Sequence, residues 1–382
     1  MTEDVAVVGL GIHAFGRHPG VSGLEMGAHA ARAALADAGI GWEQVDFAAG
    51  GSDSAGNADT TVSVLGLTGV PFINVKNGCA TGGSALTTAH AMLSAGYADI
   101  ALVVGFDKHP AGAFNPLPEE WGIGSWYGET GLMLTTQFFA MKIQRYMGEH
   151  GISESTLAKV AAKAFENGSR NPNAWRRQPL SEQEVLSSRM VSDPLRQYMF
   201  CSPGEGAVAL VLARGPRIRE LTSKPVLLRS VAFRTRRFGS FEVFSPSIPV
   251  ESAPSPTAEA AAAAFEQAGM GPEDVDIAQL QDTESGAEIM HLAETGLCRD
   301  GEQEGLIQSG ATRIDGRLPI NTDGGCLACG EPIGASGLRQ VHEVALQLRG
   351  DAGDRQVPGP ARVGFTQVYG APGVSACTVL ST

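Results

Sequence analysis

The 382-residue chain has no run of about eighteen uncharged apolar residues, which excludes a membrane-spanning helix. Basic side chains are scarce: 28 Lys and Arg stand against 41 Asp and Glu, a net charge of −13. So acidic a chain lacks the positive footprint that nucleic acid or an anionic membrane requires, although one local basic pocket remains compatible with it. Cysteine is sparse, with six residues. That is too few for a disulfide framework in a chain this long, and fits core thiols plus one reactive one. Nucleotide-type Gly-rich phosphate loops and metal-ligand clusters are missing. The lone Cys326-Leu327-Ala328-Cys329 has no second pair, which argues against zinc. The amino terminus, Met1-Thr2-Glu3-Asp4, is acidic where a secretory signal is basic, and predicts a cytoplasmic protein.

Glycine is plentiful instead. Its 49 residues follow no collagen-like period and predict tight turns and close backbone approaches. The length allows two or three domains, or one enzyme with a duplicated core. Short β-branched runs (Val5–Gly11, Phe72–Val75, Ile100–Phe106) alternate with Ala-rich stretches (Met26–Ala38, Thr81–Ala95), which predicts layered α/β with a mostly parallel sheet. Residues 108–195 break the pattern with Pro110, Pro116 and Pro118 and two helical stretches, and read as an insertion. Ala207–Leu212 returns to strand, and Gly215 to Lys224 reads as a boundary. A second series follows: strand Val226–Phe233, helix Thr257–Gln267, strand Val275–Leu280, helices Ser285–Leu297 and Ala335–Leu348, and strands Val363–Val368 and Ser375–Leu380.

The sharpest motif is Asn77-Gly78-Cys79-Ala80-Thr81-Gly82-Gly83, a strand-to-helix turn with one Cys. A sulfur at a helix amino terminus is favoured as thiolate, and the glycines admit a thioester. The plainer alternative is a buried thiol in a small-residue crossing.

This segment resembles the nucleophilic-cysteine loop of the thiolase superfamily, especially its archaeal and sterol-carrier-protein-X-type branch. The resemblance covers nearly the whole chain. It extends through Trp121–Met147, Arg170-Asn171-Pro172 and Met190–Leu195, which look like the family's insertion. Gln281-Asp282-Thr283 stands where the family has His-Asp-Cys-Phe, and Gly330-Glu331-Pro332-Ile333-Gly334-Ala335-Ser336-Gly337 resembles its Gly-His-Pro-x-Gly-Ala-[ST]-Gly signature. The resemblance implies an α/β, duplicated, five-layered α-β-α-β-α fold. Residues 1–215 would form one half, with an inserted loop domain at about 108–195, and residues 216–382 the other. It implies a Cys79 acyl-enzyme formed from a 3-ketoacyl-CoA, with coenzyme A as substrate and product and no metal. A homodimer, joined by a small zinc-ribbon/OB-fold subunit, is the implied assembly.

The departures matter, because a fold does not carry its function with it. None of the eight His falls on a position that matches the family's catalytic set. Glu331 replaces the signature His and is a candidate general base; the alternative is a solvated surface Glu. Tyr369, in Tyr369-Gly370-Ala371-Pro372-Gly373, is a candidate acid or a packed ring. Gln281 is a candidate oxyanion donor, and Asp282 an orienting group. Cys326 or Cys329 could present a thiol beside Cys79. Arg234, Arg236 and Arg237 are candidates for the CoA phosphates or a substrate carboxylate, with Gly370 and Ser336 beside them as cofactor contacts. Trp175-Arg176-Arg177 is a second basic patch. The atypical base set points to a bulky substrate, branched, carboxylated or aromatic, of which a benzoylsuccinyl-CoA-like thioester is an example. Two other readings stay open: a retro-aldol lyase on a 3-hydroxyacyl-CoA, which needs no covalent cysteine, and a non-catalytic CoA- or lipid-binding subunit.

Overall fold

The first strand is held by what it cannot accommodate. A Cβ on Gly11 would lie 2.0 Å from the carbonyl oxygen of Ala30, so the Ala-rich helix that follows sits directly on the backbone. A computed structural model describes residues 4–240, 242 and 253–382; Met1 to Glu3, read above for localisation, lie outside it.

The first half runs β1 Val5–Gly16, α1 Gly23–Ala38, β2 Phe47–Gly51, the single turn α2 Val62–Leu65, β3 Phe72–Asn74, α3 Thr81–Ser94 and β4 Ile100–Lys108. The intervening segment carries α4 Trp126–Glu129, α5 Thr135–His150, α6 Glu154–Arg170, α7 Glu182–Ser187 and a ribbon of β5 Met190–Ser192 and β6 Leu195–Arg196. β7 Glu205–Arg214 closes the half, and α8 Arg217–Leu221 links it to β8 Val226–Thr235. The second half continues with α9 Pro256–Ala268, β9 Ile277–Leu280, α10 Ser285–Glu294, α11 Gln303–Gln308, α12 Gly325–Cys329, α13 Ile333–Arg349, β10 Val363–Gly370 and β11 Val374–Ser381.

Strand order is β3-β2-β4-β7-β1-β8-β11-β10-β9. The two halves repeat one topology. β2–β4 and β9–β10 are parallel, whereas β4–β7 with β7–β1, and β10–β11 with β11–β8, are antiparallel. Even the β2–β3 pairing has its counterpart, a parallel bridge between Ala278 and Ile320. The halves join where β1 meets β8 through Ala6 and Val7. Side chains on β1 alternate: Ala6 and Val8 face α1, while Val5 and Val7 face a layer formed by α3 and α13. α9 packs on the outer side of β8 and β11, which completes five layers.

The expected mostly parallel sheet is corrected here, since only the β3–β2, β2–β4 and β10–β9 pairings are parallel. Strands covered by helices on both faces read as continuous apolar runs whichever way they pair. β2 was not apparent in the sequence because Phe47-Ala48-Ala49-Gly50-Gly51 has little β-propensity. Among the described residues no helix is long and apolar enough to cross a membrane.

Gly334 is a tight point of the central layer. A Cβ there would lie 2.5 Å from the oxygen of Gly51 and 2.6 Å from that of Phe106, both backbone atoms that cannot swing aside. Gly334→Ala is expected to lower stability by about 3 kcal/mol. Gly305→Ala, which meets open space on α11, serves as the neutral control in thermal unfolding.

Candidate active site

Between β3 and α3 the chain turns through Gly78, whose φ of 54° places it in the left-handed region. The turn is tied together locally. Thr81 Oγ1 donates to Gly78 O at 2.7 Å and accepts from Asn77 N at 2.9 Å, and Asn77 Nδ2 donates to Ser84 Oγ at 2.9 Å. Three glycine-rich segments, 78–83, 324–337 and 370–373, come together around this turn. A Cβ on Gly78 would lie 2.8 Å from Ala371 O, one on Gly370 2.4 Å from Asn77 O, and one on Gly82 2.8 Å from Leu338 N. The amino end of α13 is fixed by Asp107, which accepts from Gly334 N at 2.7 Å and from Ser52 Oγ at 2.9 Å. Burial alone would raise Asp107, but hydrogen bonds from His109 and the Asp53 and Ser54 amides hold it below the usual carboxylate range.

Cys79 is partly buried at this junction and faces the carboxylate of Glu331. Glu331 is not a solvated surface residue: it is fully buried. Its backbone is pinned between Ser202 O, at 2.8 Å from its N, and Gly204 N, at 3.2 Å from its O. Gln281 Nε2 donates to Glu331 Oε1 at 2.9 Å, while Oε2 has no partner in strict hydrogen-bond geometry and is the oxygen open to a thiol. Burial first, then the Glu331 charge, pushes the Cys79 thiol well above its ordinary value. The thiolate expected at a helix terminus is therefore opposed in the resting site, where desolvation and the facing Glu331 charge both favour the thiol.

Two other thiols share this carboxylate as a neighbour. Cys201 and Cys326 are both raised by burial first and by Glu331 second. Cys326 also accepts from Arg339 Nη2 at 3.7 Å, whereas Cys329 turns away to Asp323 O. Among the described residues no three His, Cys, Asp or Glu side chains converge as metal ligands.

Asp282 accepts from the amides of Cys326 at 2.6 Å and Leu327 at 3.3 Å, at the start of α12. Burial lifts its carboxyl from 3.8 to about 8. Because the folded value lies above the unfolded one, the folded state holds the extra proton. The associated stability is complete below about 4 and is lost as pH rises to about 8. Asp282→Asn is expected to remove roughly one proton's worth of that slope in unfolding followed between these pH values.

Tyr369 lies elsewhere. Val368 packs with Ala80 on the inner face of the strand, so Tyr369 points outward. It joins Ile123, Tyr127, Met133 and Phe138 of the insertion and donates to Glu242 Oε2 at 2.6 Å. Arg234, Arg236 and Arg237 are exposed at the end of β8. Arg236 N donates to Gly373 O at 2.8 Å, which sets the cluster beside the Gly370–Gly373 loop, and Arg237 pairs with Glu259 at 2.7 Å. Ser336 is fully buried, and its hydroxyl bonds back to Pro332 O at 3.2 Å. Arg176 stacks on Trp175 and donates to Leu327 O at 2.8 Å, so it braces α12 rather than forming a free basic patch. A cavity of about 570 Å³ opens elsewhere, between α6 and α11, and takes in none of these residues.

Cys201, Glu242 and Glu284 were missed by sequence reasoning. Cys201 and Glu242 fall in no motif. Glu284 directly follows Gln281-Asp282-Thr283, at the place of the Phe in His-Asp-Cys-Phe, and that replacement was the available signal.

A duplicated five-layered fold with a cysteine turn between its two central helices defines a thiolase-type protein. The family model for the thiolase N-terminal domain matches residues 5–205, and that for the thiolase C-terminal domain-like region matches residues 250–382. The chain belongs to the thiolase superfamily, in the branch that holds archaeal acetyltransferases and the thiolase-like sterol carrier protein 2. It is 33% identical to the acetyl-CoA acetyltransferase of Methanothermobacter thermautotrophicus, over 98% of both chains. It is 31% identical to the benzoylsuccinyl-CoA thiolase subunit BbsB of Thauera aromatica, over 97% of this chain and 95% of that one. Among solved structures, the Ltp2-ChsH2(DUF35) aldolase shares the fold with a TM-score of 0.89 at 24% identity, covering 100% of this chain and 98% of that one.

Proposed function

We propose that the protein is a CoA-dependent acyltransferase that cleaves or forms the C2–C3 bond of a 3-ketoacyl-CoA through an acyl group carried on Cys79. The observation that carries this reading is the facing Cys79–Glu331 pair, with the buried Glu331 oriented by Gln281. Glu331 takes the thiol proton as Sγ attacks the C3 carbonyl. The C2–C3 bond then breaks, and the departing CoA-thioester carbanion receives that proton at C2. In the second half, the bond from the acyl carbonyl carbon to Cys79 Sγ breaks as that carbon is attacked by a fresh CoA thiol. Its proton passes through Glu331 back to Cys79, so atoms and charge balance. A high thiol value suits this cycle, since a base in contact delivers the thiolate only when substrate is in place.

The acyl group is bulky (branched, aromatic or carboxylated), and BbsB, named as a benzoylsuccinyl-CoA thiolase subunit, is a relative that supports this choice. The CoA phosphates bind at Arg234, Arg236 and Arg237, beside Gly370. A homodimer completed by a small second subunit is the proposed assembly; BbsB is itself named a subunit. A second reading, retro-aldol cleavage of a 3-hydroxyacyl-CoA, is favoured by one observation, the Tyr369–Glu242 pair that stands apart from Cys79.

The test is mass spectrometry of the protein, with and without a small partner subunit, after incubation with a 3-ketoacyl-CoA. An acyl adduct on Cys79 is expected. Turnover without an adduct, retained in Cys79→Ser, overturns the acyltransferase reading in favour of the lyase.

A further inference from the structure

A second group of buried charges lies outside the Cys79–Glu331 pair. Lys142 of α5 places Nζ 4.0 Å from Glu242 Oε2 and 5.5 Å from the centre of the Tyr369 ring. It also faces Glu284 and Glu294. Glu294 is satisfied by His291 Nδ1 at 2.6 Å. Two acceptors are not. Glu242 Oε1 and Glu284 Oε1 are fully buried and, among the described residues, meet no donor in strict hydrogen-bond geometry, although the other oxygen of each is engaged, by Tyr369 and by Gly286 N. Leaving a buried carboxylate oxygen without a donor is costly, so each of these oxygens is available to accept from a ligand's hydroxyl.

The group is contiguous with the nucleophile loop on two sides. Ala371 packs with the Tyr369 cluster, and its carbonyl is the atom that a Cβ on Gly78 would strike. Glu284 neighbours both Cys201 and Lys142, and so spans the two charge groups. Ile123, Tyr127, Met133 and Phe138 supply an apolar wall on the insertion side.

We infer that this cluster is the distal end of the acyl site and that Glu242 Oε1 and Glu284 Oε1 accept a hydrogen bond from a hydroxyl on the acyl group. The inference rests on the acyl-CoA reading above and narrows it. The substrate class is a CoA thioester whose bulky acyl part is uncharged and hydroxylated. A carboxylated acyl group is disfavoured, because Lys142 is already engaged by Glu242 and a further buried carboxylate would meet the same desolvation that lifts Glu284 from 4.5 to about 8.

The test uses the full chain carrying Cys79→Ala, so that no acyl transfer intervenes, and three matched probes: 3-phenylpropionyl-CoA, 3-(4-hydroxyphenyl)propionyl-CoA and 3-(4-carboxyphenyl)propionyl-CoA. Calorimetric titration is expected to show the hydroxylated probe binding on the order of tenfold more tightly than the phenyl probe, with the carboxylated one weakest. Adding Glu284→Phe, which removes one acceptor, should bring the hydroxyl-to-phenyl ratio toward one while phenyl binding is kept or improved, an outcome that a misfolded variant could not give. Glu242→Gln, which replaces a charged acceptor by an amide, should lower the ratio as well. A ratio of one before either substitution, an unchanged ratio in both variants, or tightest binding of the carboxylated probe overturns the inference. Acylation of wild-type Cys79 is scored separately. If acylation occurs and the ratio is one, only the hydroxyl site falls; if the ratio holds and no acylation occurs, the acyltransferase reading falls and the hydroxyl site stands.

Discussion

Cys79→Ser is expected to lower 3-ketoacyl-CoA cleavage by at least ~10³-fold and to abolish the covalent adduct. A hydroxyl has the size of a thiol but is a far weaker nucleophile and a worse leaving group, so both halves of the cycle suffer. The loop should survive the change, because its geometry comes from Thr81, Asn77 and Ser84 and not from the sulfur. Unchanged thermal unfolding with lost turnover is the expected pair of results, measured by calorimetry and by an assay of CoA consumption. Retained turnover would place the chemistry on other groups, of which Tyr369 and Glu242 are the ready set.

Glu331→Gln should separate two properties that a structural role would move together. Losing the base is expected to cut turnover ~10²- to 10⁴-fold. The same change deletes the negative charge facing Cys79, which is one of the causes that hold the thiol high. The thiol value should therefore fall, and alkylation of Cys79 by iodoacetamide at fixed neutral pH should become faster, not slower. Slower turnover with faster alkylation identifies Glu331 as a base in contact with the sulfur. Slower turnover with unchanged alkylation would mean that the carboxylate does not act on Cys79.

Much of the site was legible because its parts are local. Gly78-Cys79-Ala80 between a strand and an Ala-rich helix, and Glu331 after Gly330, are patterns within a few residues, and periodicity placed the helices that carry them. Around the cysteine turn Gly78, Gly82 and Gly370 meet their partners at backbone contact distance, where any side chain would clash. Less local features were not legible. Tyr369 sits one residue from a loop that packs on the turn carrying Cys79, yet strand alternation turns its side chain to the other face. Ser336 occupies a signature position, but its helix buries it. Glu242, Glu284 and Lys142 carry no motif, since a buried charge cluster is assembled from separate elements and leaves no spacing to read.

By itself the sequence determined the alternation of elements, the inserted segment, the cysteine turn and the missing histidines, because each depends on residue type and short-range order. The tertiary structure alone decided strand direction, the surroundings that raise the Cys79 thiol and the division of acid–base groups into two sets. Those properties depend on burial and on charges brought together across the fold: Glu331 reaches Cys79 only because α13 packs on α3, and the field at the sulfur exists only once that packing has removed water.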